Sequence, residues 1–132
     1  MKVLLSVKPD YANKILDGTK KYEFRRRIHR DPRVRTIIIY ATKPVGKVVG
    51  EFTIKYVHID SPNLLWERTR RFAGISEQLF SDYFQGCPVG YAIEVKCVKR
   101  YKQPKDVSDF LASGIAPQSY AYVPGVGRAS PA

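Results

Sequence analysis

The sequence predicts an α+β domain in which a small mixed β-barrel carries short helices packed at its edge. Three observations favour this fold class. Several segments alternate apolar and polar residues, as half-buried strands do. Helix start and stop signals fall between these segments and enclose only short stretches. One long strand switches the parity of its apolar residues, which indicates the kind of bulge that small closed barrels need.

The distribution of charge indicates a polyanionic ligand. The chain has 132 residues and a net charge of +11 at pH 7. Residues 1–35 contain 11 Lys and Arg against 4 Asp and Glu. Such asymmetry is typical of proteins that bind nucleic acids or other polyanions, although basic surfaces also serve solubility.

The length fits one domain with a hydrophobic core. We expect this domain over residues 1–123 and a disordered tail over residues 124–132, where Gly, Pro and small residues dominate. No apolar run reaches the ~18 residues of a membrane span, and no signal-peptide pattern precedes the first strand. We therefore expect a cytoplasmic protein without a membrane partner, and the sequence does not indicate its oligomeric state.

The chain opens with a buried strand over residues 3–7, whose alternation places Ser6 and Lys8 on one side. A short helix follows between Pro9 and Gly18. Proline suits the first position of a helix, and glycine suits the residue just past its end. Because so short a helix is not stable alone, we expect it to pack on the sheet.

The next strand, over residues 20–26, carries the densest charge of the chain. Alternation places Tyr22 and Phe24 on one face, which we interpret as core. The other face carries Lys21, Glu23, Arg25 and Arg27. Like charges at this density are costly unless Glu23 or an anionic ligand offsets them, so we expect this face to form one wall of a cleft. The alternative is a solvated ladder of surface charges.

Two further strands are predicted over residues 34–40 and 48–59. The parity switch in the second places a bulge near Tyr56. Gly50 within it predicts a close approach of another segment to the backbone.

Two helices are predicted to begin after Ser61 and Ser76, which suit the capping position. Their large apolar residues are interpreted as core, a set that comprises Trp66, Leu79, Phe80, Tyr83 and Phe84. A strand over residues 89–101 and an extended segment over residues 117–123 complete the fold.

Several of these segments resemble the ASCH domain family, a branch of the PUA-like superfamily. The resemblance rests on Leu-Ser-Val-Lys-Pro at residues 5–9 and on the signature Gly18-x-Lys20-x-x-Glu23-x-Arg25. Similar segments recur at residues 40–42, 49–52, 91–93 and 117–119. The resemblance covers nearly the whole chain. It implies a PUA-like barrel of five or six strands, a cleft lined by the signature strand, and a role in binding RNA or another nucleic acid.

We therefore predict that RNA, another nucleic acid or a nucleotide-like ligand binds in a basic cleft built on the signature strand. Lysine and arginine would contact phosphates, and Tyr40 or Tyr120 would stack on a base. The predicted binding residues are Ser6, Lys8, Lys20, Glu23, Arg25, Arg26, Arg27, Tyr40, Thr42, Glu51, Ser119 and Tyr120.

The alternative is an enzyme in the same cleft, with Lys20, Glu23 and Arg25 as catalytic residues. The resemblance implies two activities. Some small members hydrolyse acetylated cytidine with Lys, Thr and Glu, but here Glu23 stands where the nucleophilic Thr would fall. Other members are similar to metal-dependent ribonucleases, in which Lys or Arg would stabilise charge on phosphorus. A module that binds another protein is a third class.

We expect no cofactor and no metal site outside the ribonuclease alternative. A divalent metal there would need a second carboxylate, such as Glu51, beside Glu23. The two cysteines, Cys87 and Cys97, lack the clustering of a metal site.

Overall fold

A computed structural model describes residues 1–124 and shows a curled, six-stranded half-barrel sheet with three short helices. The strands are β1 (Lys2–Val7), β2 (Tyr22–Arg25), β3 (Thr36–Ala41), β4 (Lys47–Asp60), β5 (Gly90–Lys105) and β6 (Tyr120–Val123). The helices are α1 (Pro9–Leu16), α2 (Pro62–Thr69) and α3 (Glu77–Phe84), with 3-10 turns at Arg70–Phe72 and Val107–Asp109. The predicted fold class is confirmed. The predicted disordered tail, residues 124–132, lies outside the described residues except for Pro124.

The strands follow the order β2-β5-β4-β3-β1-β6 across the sheet. Among these neighbours within residues 1–124, only the β1–β3 pair is parallel, and the other pairs are antiparallel. Strands β2 and β6 therefore lie at the two ends of the sheet. Because the sheet curls, these ends approach each other beside the start of α1.

Three apolar clusters fill the molecule. The first lies under α1 and contains the inward residues of β1, β3 and β4, such as Leu5, Ile39 and Phe52. The second lies between β2, β5 and the helices α2 and α3, with Phe24 and Phe80 at its centre. The third lies behind β1 and β3 against the turn at Val107–Asp109. Both faces of the central strands are thus covered, which explains the continuous apolar run in β3.

Two local predictions are confirmed in the long strand β4. Its register with β5 shifts between Ile54 and Tyr56, where the parity of the sequence changes. A Cβ added at Gly50 would lie 2.6 Å from the carbonyl oxygen of Lys99 and 2.7 Å from a side-chain carbon of Leu16. Glycine at this position therefore lets β5 and α1 pack directly on the β4 backbone.

The helix caps follow the sequence in part. The Ser76 hydroxyl accepts a hydrogen bond from the Leu79 amide at 3.1 Å, as predicted for the start of α3. The Ser61 side chain makes no capping bond; the Asp60 carboxylate accepts one from the Ser61 amide instead. In residues 1–124, no helix is both long and apolar enough to cross a lipid bilayer.

Candidate functional site

A cleft of about 1030 Å³ lies between β2, the start of α1 and one face of α3. Its volume is that of a pocket for a ligand of nucleotide size. The lining residues come from the two ends of the sheet and from the helices that flank them: Ser6, Val7, Lys8, Tyr11, Lys20, Glu23, Phe24, Arg25, Arg26, Arg27, Thr42, Ile75, Leu79, Asp82, Tyr83, Cys87, Gln118 and Ser119.

The guanidinium of Arg25 connects the two ends of the sheet. From β2, its Nη1 donates to the carbonyl oxygen of Ser6 at 3.1 Å and to Oε2 of Glu23 at 3.2 Å. Its Nη2 donates to Oγ of Ser119 at 2.8 Å and to the carbonyl oxygen of the same residue at 3.5 Å. Both terminal nitrogens are therefore engaged by protein oxygens. Arg25 fixes the shape of the cleft by bonds within the protein.

The segment before β6 is fixed to the same place by a second set of bonds. The Ser6 hydroxyl donates to the carbonyl oxygen of Pro117 at 2.6 Å. The Ser6 amide donates to the carbonyl oxygen of Ser119 at 3.0 Å. Two motifs that are 111 residues apart in sequence thus meet at one side of the cleft.

The Glu23 carboxylate is almost fully buried, with a side-chain exposure of 5%. Arg25 neutralises it through Oε2. In the described part of the chain, Oε1 accepts no hydrogen bond, and it is open to the cleft, since no fully buried side-chain oxygen there lacks a partner. A buried carboxylate with one oxygen unused is able to accept a proton or a donor group from a ligand.

Lys20 forms the floor of the cleft and is only 1% exposed. Its Nζ donates to the carbonyl oxygen of Ala73 at 2.6 Å and lies 5.0 Å from the ring centre of Tyr11 and 4.7 Å from that of Phe24. A Cβ at Gly74 would fall within 2.5–2.8 Å of the Lys20 stem, so glycine lets this loop close over the lysine. Burial lowers the pKa of Lys20 to about 8, although the Glu23 carboxylate opposes the shift.

The mouth of the cleft carries exposed cations, namely Lys8, Arg26 and Arg27. The guanidinium of Arg26 lies 4.5 Å from the ring centre of Tyr83 on α3. The Tyr83 hydroxyl also accepts a hydrogen bond from the Arg26 amide at 3.0 Å. This pair holds a flat, cationic surface at the entrance.

The structure brings most of the predicted binding residues to this cleft. Those that line it are Ser6, Lys8, Lys20, Glu23, Arg25, Arg26, Arg27, Thr42 and Ser119. Three others, Tyr40, Glu51 and Tyr120, are not among its lining residues.

Glu51 lies on the opposite face of the sheet from Glu23. It stands across from Ile38 of the third apolar cluster, whereas Glu23 stands across from Ile93 of the first. Its Oε1 accepts a hydrogen bond from the Tyr101 hydroxyl at 2.7 Å. The two carboxylates therefore do not form a pair. In residues 1–124, no group of three or more His, Cys, Asp or Glu is placed to hold a metal ion.

The two tyrosines expected to stack on a base are packed against the core. Tyr40 contacts the third cluster, and Tyr120 contacts the first. The Tyr120 ring meets His29 edge to face at 6.5 Å. The alternation of residues along one strand shows that two side chains lie on opposite faces of the sheet. It does not show which face borders the cleft, because that depends on the register between strands.

Several lining residues escaped the sequence reasoning. They are Val7, Tyr11, Phe24, Ile75, Leu79, Asp82, Tyr83, Cys87 and Gln118. Leu79 and Tyr83 had been interpreted as core, but Leu79 is 53% exposed. The spacing of residues in α3 could have indicated a shared surface, because positions 79, 82 and 83 lie on one face of the helix. That face turns toward the cleft, while Phe80 and Phe84 turn toward the core.

Residues 5–121 match the family model described as ASCH domain. The chain is 41% identical over 83 residues to an "ASCH domain-containing ribonuclease" from Zymomonas mobilis, across 63% of this chain and 56% of that protein. It thus spans about half the length of this curated relative. The solved ASCH structure from Zymomonas mobilis has 32% identity and a TM-score of 0.86, with coverage of 93% and 87% of the two chains. A Tyr-to-Phe variant has 31% identity and the same TM-score, with coverage of 93% and 90%.

Replacing Arg25 by alanine should destabilise the fold strongly. The change removes the bonds between the sheet ends and leaves the Glu23 carboxylate buried without its partner, which typically costs 3–5 kcal/mol. Urea denaturation measures the free energy of unfolding. Arg26→Ala is the matched control, and it should cost less than about 1 kcal/mol because that guanidinium is exposed. Adding Glu23→Gln to Arg25→Ala should recover part of the loss. Equal losses in the two single variants would contradict the role of Arg25.

Lys20 should make stability rise with pH between about 8 and 10.5. In this window the folded state has released a proton that Lys20 still holds in the unfolded chain, so the unfolded state binds more protons. The full rise is about 3 kcal/mol. Urea denaturation of the native chain and of Lys20→Met at several pH values isolates this contribution, because other groups titrate in both. Parallel stability curves would show that Lys20 keeps an ordinary pKa.

Proposed function

This chain belongs to the ASCH domain family, and on that premise we propose that it binds RNA in the cleft beside β2. One observation carries the proposal. The cleft has the volume of a nucleotide site and is lined by five cationic side chains, Lys8, Lys20, Arg25, Arg26 and Arg27, against two carboxylates. Such an excess of positive charge around a concave site favours a phosphate-bearing ligand.

The cations of the cleft divide into two groups. Arg25 and Lys20 are held by protein oxygens and support the walls. Lys8, Arg26 and Arg27 are exposed at the mouth and are free to meet a phosphate backbone. Arginine can hold a phosphate through two donors at once. The mouth is therefore the proposed site of phosphate contact.

A stacked pair beside the mouth offers a place for a base. The Arg26 guanidinium covers one face of the Tyr83 ring and keeps its own outer face exposed. Bases stack on guanidinium planes as well as on aromatic rings, and RNA is read mostly through such unstacked bases. The pair replaces Tyr40 and Tyr120 as the proposed base platform.

The placement of Glu51 and Tyr40 favours a polynucleotide over a free nucleoside. A nucleoside enzyme would gather Glu23, Glu51 and Tyr40 around one enclosed ligand. Here the last two point elsewhere, and the cations extend from the interior to the exposed mouth. An extended anionic strand fits that arrangement better than a small neutral ligand.

RNA binding should depend steeply on salt and on the mouth arginines. Removing two phosphate contacts with Arg26→Ala/Arg27→Ala should lower the slope of log K against log salt by about 1.4 for single-stranded RNA. Fluorescence anisotropy with a labelled 15-nucleotide RNA between 50 and 200 mM salt measures this. The control Arg70→Ala/Arg71→Ala removes the same charge from two exposed residues that do not line the cleft. RNA affinity that does not change with salt, or an equal loss of affinity in both double variants, would contradict the proposed site.

Ribonuclease activity is the second candidate, and the Lys20–Glu23 pair at the cleft floor favours it. The pKa of Lys20, about 8, lies close to neutral pH, which is what an efficient general acid requires. Glu23 lines the same cleft, has a carboxylate oxygen that accepts no hydrogen bond in the described residues, and acts on Lys20 electrostatically. The relative named a ribonuclease makes phosphodiester cleavage the reaction to test first. No comparable observation supports hydrolysis of acetylated cytidine, because Glu23 has no hydroxyl to act as the nucleophile.

The chemistry uses the 2′-hydroxyl of RNA. Its oxygen attacks the adjacent phosphorus, a new 2′-O–P bond forms, and the P–5′-O bond breaks. Glu23 accepts the proton of the 2′-hydroxyl, and the Lys20 ammonium donates a proton to the departing 5′-oxygen. Arginines at the mouth stabilise the negative charge on phosphorus.

If this second function holds, labelled RNA should be cut by the native chain and about 100-fold more slowly by Glu23→Gln, which keeps the shape of Glu23 but cannot accept the proton. Gel analysis with Mg²⁺ and with EDTA measures the rate and its metal dependence. DNA of the same sequence is the control and should stay intact because it lacks the 2′-hydroxyl. RNA that binds but is never cut would leave binding as the function.

A further inference from the structure

The distal half of β5, residues 96–105, forms an open edge of the sheet. Strand β2 pairs with β5 only between Tyr91 and Glu94, and the amide of Val95 donates to the carbonyl oxygen of Lys21. Beyond that point, β5 pairs with β4 alone in the described part of the chain. Pro104 lies in this half, and proline is tolerated at an edge because it lacks the amide donor.

This edge carries a second concentration of positive charge. Residues 96–105 contain five cations and no acidic residue: Lys96, Lys99, Arg100, Lys102 and Lys105. All five are exposed, and none forms an ion pair within residues 1–124. With the excess of seven in residues 1–35 they make +12, so the rest of the chain carries a net charge of −1.

The nearby carboxylates form no ion pair with these cations within residues 1–124, although Asp17 attracts Arg100 at longer range. Glu51 accepts from the Tyr101 hydroxyl. Asp106 pairs with Lys47. Asp17 accepts from the amide and hydroxyl of Thr19. Five unpaired cations on one strand repel one another, and an extended polyanion would relieve that repulsion.

Lysine on an open edge also discourages pairing with another chain. That purpose explains lysine on the strand, but it does not explain why no acidic residue accompanies five cations. We infer that the distal half of β5 is a second RNA contact surface, which holds the phosphates of a strand that extends out of the cleft. The inference rests on the proposed RNA binding at the cleft.

The separation of the two surfaces makes the inference specific. Lys99 lies five residues beyond Glu94, a path of about 17 Å along an extended strand, and Lys102 lies three residues farther. None of residues 96–105 lines the cleft. A surface charge acts over only about one Debye length, about 8 Å at physiological salt. The edge therefore acts only on an RNA long enough to reach it, and a short RNA in the cleft should not respond to it.

The test compares two RNA lengths on the full chain. The variant Lys99→Gln/Lys102→Gln should lower the slope of log K against log salt by about 1.4 for a 15-nucleotide single-stranded RNA. Its affinity for a trinucleotide should stay within about twofold of the native value, since those lysines lie beyond screening distance from the cleft. The controls are Arg70→Gln/Arg71→Gln, with the same loss of charge elsewhere, and Lys99→Arg/Lys102→Arg, which keeps the charge.

The outcomes separate this inference from the proposed function. A loss confined to the long RNA and absent from both controls supports it. An unchanged slope for the long RNA, with the mouth variant still weakened, overturns the edge and leaves the cleft standing. Equal losses in Arg70→Gln/Arg71→Gln, or a loss in Lys99→Arg/Lys102→Arg, also overturn it. A native chain that binds neither RNA overturns the proposed function and the inference together.

Discussion

The guanidinium of Arg25 joins the two ends of a curled sheet that no backbone ladder closes in the described chain. It reaches from β2 to the end of β1 and to the segment before β6. Because a single arginine side chain, and not a pair of hydrogen-bonded strands, connects the two ends, space remains between them. That space is the cleft. The constraint also explains why Glu23 is buried, since Arg25 supplies the counter-charge that makes burial of a carboxylate tolerable.

The same constraint divides the dense charge of β2 into separate roles. The charges that face inward, Glu23 and Arg25, neutralise each other and hold the architecture. Lys20 is buried at a cost, because desolvation lowers its pKa, and it gains a carbonyl partner and two aromatic rings in return. Buried titratable groups with shifted pKa values are typical of functional sites. Arg26 and Arg27 face outward and form no ion pair within residues 1–124, so they are available to an anionic ligand.

Much of the fold and part of the site could be predicted from the sequence, and the boundary is physical. The Ser76 cap, the bulge beside Tyr56 and the two faces of β2 could be predicted because each depends on residues that are close together in sequence. The positions of Tyr40, Glu51 and Tyr120 could not be predicted, because strand register and the curl of the sheet decide which face each residue meets. Helix α3 shows the same limit, since its spacing predicts two faces but not which one borders the cleft.

RNA is proposed to enter the cleft that Arg25 holds open. The most direct measurement is a titration of the isotope-labelled chain with a trinucleotide RNA, followed by amide NMR shifts. The largest shifts should fall on residues 23–27 and on Lys8, Thr42 and Tyr83, with little change near Arg70 and Lys102. Shifts spread evenly over the basic surface, or concentrated away from β2 and α3, would contradict the claim.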